Sequence, residues 1–202
     1  MKRLIAALLF VLGILAATAV PSQAYIDDPM INGRKFASTS LCVGSTLLQS
    51  YYRVGYVAQS INNATEELSL QYSTDCAAAG YPASRRMFVG TFQNPDYPHC
   101  TLFTNQQYAT YNGFWRWTNA PGLYLNTAFS TCVSTQTRRD HWISQMMVFH
   151  LGLNSLDSAG WNSHVMNGTD FSRDNVGILS GSEGVKLDEI YRGVFCDSGT
   201  VC

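Results

Sequence analysis

Gln145-Met146-Met147-Val148-Phe149-His150-Leu151-Gly152-Leu153-Asn154-Ser155 is the stretch on which the reading of this chain turns. Trp142, Met146, Phe149 and Leu153 recur at three- and four-residue steps, the period of a helix with one apolar face. The helix they describe runs from about Arg138 to Leu153, and Gly152 can terminate it. Residues one turn apart share a face, so Gln145 and Phe149 point the same way, with His141 one turn earlier. His150 adjoins Phe149 and points about 100° away from that face, where it is expected to pack or hydrogen-bond.

Upstream, Leu47, Leu48, Tyr51, Val54, Ala58 and Ile61 keep helical spacing and predict one long helix from Leu47 to Ile61. Period-two alternation from Glu67 to Tyr72 and the β-rich run from Arg86 to Phe92 predict two strands, with Gly80 and Pro82 between them. Phe114 to Trp117 and Gly122 to Asn126 are shorter strands on either side of an Asn119-Ala120-Pro121-Gly122 turn signal. Downstream of the central helix, Leu187, Ile190, Tyr191 and Val194 mark a short last helix. Gly181-Ser182-Glu183-Gly184 reads as a loop, since it lacks the strand-turn-helix setting that a serine nucleophile needs.

At the start, Lys2 and Arg3 precede an apolar run from Leu4 through Val20, followed by Pro21, Ser22, Gln23 and Ala24. A basic head, an apolar core and small residues before a cut make a secretory signal peptide over residues 1–24. Cleavage after Ala24 leaves residues 25–202 as a single secreted, extracellular domain beginning at Tyr25. No later stretch is apolar enough to span a bilayer, so no membrane association is expected after cleavage. Loss of Lys2 and Arg3 takes the 13 basic residues down by two against 14 acidic ones, a net charge of about −3. That balance points away from nucleic acid, and a monomer is expected.

Cys42, Cys76, Cys100, Cys132, Cys196 and Cys202 all follow the cleavage point. An even number in an exported chain reads as three disulfides, with fifteen pairings open. They stand singly, without C-x-x-C pairs or Cys/His clusters at metal spacing, which argues against a structural zinc. Cys196 and Cys202 flank Asp197-Ser198-Gly199-Thr200 and could close a small loop.

The order of helix, strands, helix, irregular stretch and helix resembles the metzincin clan of zinc peptidases. In that clan the active-site helix reads H-E-x-x-H-x-x-G-x-x-H, with Asp last in the small snapalysin-like members. Leu151-Gly152-Leu153 matches the core of the motif, Leu123-Tyr124-Leu125-Asn126 resembles the strand before it, and Ser163-His164-Val165-Met166-Asn167 looks like the methionine turn. The resemblance implies an α+β, metzincin-like zincin domain: a twisted mixed sheet with a backing helix, an active-site-type helix and a C-terminal helix.

Every position that carries the family's chemistry differs. Gln145 stands at the first ligand, Met146 at the general base, Phe149 at the second ligand and Ser155 at the third. Two histidines one turn apart hold the zinc, and the glutamate between them takes a proton from the bound water. An amide is a poor zinc ligand, and neither a thioether nor a phenyl ring accepts that proton. The resemblance thus implies a pseudopeptidase with no cofactor, possessing a vestigial cleft for a peptide or protein. The alternative is an active zinc-dependent endopeptidase with a rearranged site built on His141 and His164, with Asp140 or Asp157 as a third donor; His99 stands alone beside Cys100.

An unrelated disulfide-rich α+β domain would keep only the export and cross-linking. Trp115, Trp117 and Tyr124 could furnish a binding face, although packing is the commoner use of such rings. Asn63-Ala64-Thr65 and Asn167-Gly168-Thr169 match the glycosylation sequon, which matters only in a host that glycosylates exported proteins. Three disulfides predict that alkylation of the non-reduced secreted protein, read by mass spectrometry, finds no free thiol. A modified cysteine in the folded protein would refute that.

Overall fold

The computed structural model describes residues 33–111, 114–153, 179 and 181–192. The proposed export segment, Ser155, Asp157, His164, Met166, the second sequon, Cys196 and Cys202 lie outside them. Two sheets and a helical layer make up the described part, an α+β arrangement. Strand β1 (Arg34–Lys35) comes first, then β2 (Ser40–Gly44), neither of them anticipated from the sequence. Leu41, Cys42 and Val43 of β2 are wholly buried because the strand lies inside a sheet, and a strand enclosed this way shows no alternation.

The helix expected from Leu47 to Ile61 is two pieces, α1 (Gln49–Tyr52) and α2 (Val54–Ala64). Arg53 separates them in the left-handed region, at φ 48°. Gln49 holds the break: its side-chain oxygen accepts from Gly55 N–H at 2.8 Å and its amide donates to Leu47 C=O at 2.9 Å. The turn aims Arg53 at Asp140, where Nη2 meets Oδ2 at 2.9 Å. Val54, Val57, Ala58 and Ile61 form the buried face of α2.

After α2 come β3 (Ser69–Ser73), a 3-10 turn (Ala83–Arg85) and β4 (Arg86–Phe92). Next are β5 (Thr101–Thr104), β6 (Tyr108–Tyr111), β7 (Phe114–Trp117) and β8 (Gly122–Asn126). The main sheet has the order β3-β2-β4-β8-β5, parallel except at β5, which runs antiparallel along β8 as an edge. The smaller sheet has the order β1-β7-β6. Leu70, Met87, Val89, Leu123 and Leu125 alternate along their strands and turn toward the core.

Two short-range devices fix the ends of the main sheet. Cys42–Cys76 and Cys100–Cys132 are disulfides, spanning sequence separations of 34 and 32, and α3 (Ser130–Val133) carries the last of these cysteines. Loops of that length contribute about 4 kcal/mol each in the chain-entropy account. Asn126 is buried at the end of β8. Its amide donates to the carbonyls of Asn94, Tyr97 and His99, while its oxygen accepts from Asn94 and Ala128 N–H.

The central helix, α4 (Gln136–Leu151), begins where Thr135 Oγ1 accepts from Arg138 N–H and ends at Gly152, as its sequence predicts. Gly152 has φ 127°, and a Cβ there would lie 2.7 Å from Arg34 C=O, so both the backbone and its neighbour demand glycine. Helix α4 packs against α2, β8 and β1. Among the described residues no helix is long and apolar enough to cross a membrane.

The last helix, α5 (Gly181–Arg192), starts earlier than expected, and Gly181 to Gly184 are its first turn rather than a loop. Tertiary packing overrides the poor helix propensity of glycine here. A Cβ at Gly184 would lie 1.9 Å from Ala64 C=O, so only glycine lets α5 meet the end of α2. Asp188 then accepts from the N–H groups of Glu66 and Glu67, and Arg192 pairs with both of their carboxylates. In an ordinary helix Gly→Ala stabilises by up to about 1 kcal/mol. At Gly184 the backbone clash dominates, and Gly184→Ala is expected to lower stability by roughly 1 to 3 kcal/mol in urea unfolding. A stabilised variant would refute this contact.

Candidate functional site

From Arg139 to Leu153 every side chain of α4 and its cap is buried except His141, Gln145 and Phe149, which are half-buried. These three stand four residues apart and make a single line along the helix. The sequence placed all three on one face, and past the half-buried first turn, Gln136 to Arg138, the structure leaves them as the partly open positions of the helix. Met146 is wholly buried and belongs to the core instead.

Phe149 lies against the antiparallel edge of the main sheet. Its ring stacks on Phe103 of β5, with centroids 5.3 Å apart and planes 7° from parallel. The hydrogen-bond phase of β5 follows from Asn126 N–H donating to Cys100 C=O, which turns the backbone of Leu102 toward β8 and that of Phe103 outward. The edge of β5 therefore meets the line at its Phe149 end, through Phe103.

Arg34 extends this surface onto the smaller sheet. Its guanidinium carbon lies 5.5 Å from the Phe149 ring centroid, 5.6 Å from Trp115 and 5.7 Å from Tyr108. Tyr108 and Trp115 stack on each other at 4.8 Å, and both are exposed, at 42% and 39%. Of the aromatics singled out in the sequence, Trp115 keeps an exposed face. Trp117 does not: it is 1% exposed, and its indole N–H donates to His150 C=O at 2.9 Å. Tyr124 is half-buried and lies near Phe88. Sequence reading had no signal for Arg34, Phe103 or Tyr108, which gather only through the fold.

His150 is buried, off the open line as its position predicts. It sits between Phe103, Trp117 and Phe149, with centroid distances of 4.7, 4.9 and 5.5 Å. Nδ1 lies 2.9 Å from Met146 C=O, so Nδ1 carries the proton and donates. Nε2 then presents a lone pair with no partner. Burial, with a smaller contribution from the positive Arg34, pulls the imidazole down to about 4 despite the bond to Met146.

At the other end of α4, Asp140 and Arg139 are buried but satisfied. Asp140 meets Arg53 and accepts from the Gln136 amide at 2.8 Å, while Arg139 donates to the carbonyls of Tyr51 and Val133 and to Gln136 Oε1. These bonds join α1 to α4. Burial raises Asp140 above the ordinary carboxylate range.

The three described positions of the resembling motif do not fit zinc. Gln145 offers an amide, Met146 a buried thioether and Phe149 nothing, and among the described residues no three His, Cys, Asp or Glu side chains converge on one point. His141 stands on the open line and its ring meets Trp142 edge-on. His99 stacks edge-on with Tyr97 in the loop pinned by Asn126. No protein-family model matches the chain, and no curated protein sequence matches it either.

The folded pKa of His150 lies below its unfolded value of 6.5, so the unfolded chain binds more protons between pH 6.5 and about 4. This contribution is fully present above pH 6.5 and falls away as pH drops through that window, by roughly 3 kcal/mol. Asp140, raised by burial, acts in the opposite sense. Denaturant titrations across that range should therefore show a shallower acid loss for His150→Phe than for the natural chain. Equal slopes would place the titration elsewhere.

Proposed function

We propose that the mature chain is a secreted, non-catalytic protein on a metzincin-like scaffold. It holds an extended peptide, or an extended segment of a protein, between the open edge of β5 and the line of His141, Gln145 and Phe149. The observation that carries this reading is the setting of Phe149: it occupies the place of a histidine ligand in the resembling motif, yet its ring lies flat on Phe103 of the antiparallel edge strand. A cleft that had only lost its chemistry would keep this position beside a strand edge.

Three further features support the reading. A helix followed by strands of a mixed sheet, then α4 and then α5, keeps the order that carries the resemblance, with β1 and β2 added ahead of that helix. Disulfides suit an oxidising compartment and so favour export. An outward-facing backbone at Phe103 offers main-chain hydrogen bonds to an added strand, while the Phe149 ring supplies an apolar anchor.

The partner class is tested by selecting random extended peptides from a display library on the mature protein. Phe149→Ala should weaken the selected peptides tenfold or more, with the fold checked by circular dichroism. Elemental analysis should find no stoichiometric zinc, and a chelator-sensitive peptidase assay no activity. Peptides that bind equally well to Phe149→Ala would place the site elsewhere. Zinc together with activity lost in His141→Ala or His164→Ala would favour the rearranged metallopeptidase.

A further inference from the structure

The smaller sheet ends in an edge whose backbone is set for pairing. Thr118 N–H donates to Gln107 C=O at 3.0 Å, which fixes the phase of the β6 and β7 ladder. With Tyr108 opposite Trp117 and Ala109 opposite Arg116, the backbone groups of Gln107, Ala109 and Tyr111 turn toward β7. Those of Tyr108 and Thr110 turn away from it. Tyr108, Ala109 and Thr110 are all exposed, and no bond within the described residues takes the outward N–H and C=O groups of Tyr108 and Thr110.

Such an edge normally carries a charge, a proline or a covering segment that discourages pairing. Here there is no Asp, Glu, Lys or Arg from Tyr97 through Trp115, and β6 has no proline. We propose that β6 pairs antiparallel with β6 of a second copy, across a two-fold axis at Ala109. The two three-stranded sheets then join into one six-stranded sheet, and the chain is a dimer rather than the monomer expected from its sequence.

The register follows from the phase. A two-fold axis perpendicular to the sheet keeps each side chain on its own face, so Tyr108 must lie opposite Thr110 of the second copy. Thr110 in turn lies opposite its Tyr108. Both residues present outward N–H and C=O groups, which gives two hydrogen-bonded pairs and four bonds. Ala109 meets its own equivalent at the axis as a non-hydrogen-bonded pair, where Cα atoms approach to about 4.5 Å and side chains come closest. A methyl group suits that separation.

A second copy is favoured over an unrelated strand because this one register satisfies both outward residues on both chains without opposing charges. Pairing at β5 is less complete, since Thr101 C=O already accepts from the Tyr97 hydroxyl at 3.3 Å. Dimerisation through β6 leaves the β5 edge open, so this inference stands or falls independently of the proposed peptide site.

Sedimentation equilibrium of the mature protein, from micromolar to about millimolar concentration, tests it, an interface this small belonging with weak associations. The natural chain should approach twice the monomer mass. Ala109→Lys and Ala109→Glu should each be monomeric alone, because like charges then meet at the axis, and their mixture should form a heterodimer. Recovery of that heterodimer cannot come from misfolded chains. A natural chain that stays monomeric throughout would overturn the proposal. So would a dimer unaffected by Ala109→Lys, or a mixture that fails to associate.

Discussion

The enclosure of α4 sets the terms for most of the molecule. A helix whose side chains are buried around nearly its whole circumference must be met on several sides, and here α2, β8 and β1 do so. Burying it also buries polar groups, each of which costs free energy unless it finds a partner. Arg139 and Asp140 find theirs in the Tyr51 carbonyl, in Gln136 and in Arg53, and the left-handed turn at Arg53 is the local cost of that arrangement. His150 is met only in part. Its ring is enclosed by aromatics and its Nε2 is left with a lone pair and no donor.

What the enclosure leaves open is as informative as what it covers. The line of His141, Gln145 and Phe149 faces outward beside an edge strand, and Arg34 links its Phe149 end to the exposed Tyr108 and Trp115 stack. Main-chain groups at Phe103 and the flat ring of Phe149 suit a strand-like ligand better than a compact one, since the first would supply hydrogen bonds and the second an apolar contact. Along the line Gln145 is a neutral amide and Phe149 carries no donor or acceptor, while His141 supplies its one imidazole.

Parts of this design are legible in the sequence and parts are not, for physical reasons. Arg86–Phe92 and Phe114–Trp117 are rich in β-branched or aromatic residues, Gly122–Asn126 follows a turn signal, and the structure gives all three those bounds. Strand β2 is hidden because burial on both faces removes its alternation, and β5 (Thr-Leu-Phe-Thr) and β6 (Tyr-Ala-Thr-Tyr) because four residues each, flanked by polar Asn and Gln, are too short to show an apolar period. The break at Arg53 is invisible to spacing, as apolar residues keep their steps across it. The early start of α5 is masked by Gly184, chosen by its contact with Ala64 rather than by helix propensity. The open line could be read from the sequence because its residues share one helix. The Arg34 cluster could not, because positions 34, 103, 108, 115 and 149 meet only after folding.

The central claim is that the open line of α4 occupies the place of a lost ligand set on a metzincin-like scaffold. The most direct test restores the ligands alone, in the triple variant Gln145→His, Phe149→His and Ser155→Asp, and measures bound zinc per folded chain by elemental analysis after dialysis. Such a scaffold would bring the three restored donors within ligand distances of roughly 2.0 to 2.2 Å, and one zinc per chain is the predicted result. A triple variant that folds as the natural chain does and retains no zinc would contradict the claim.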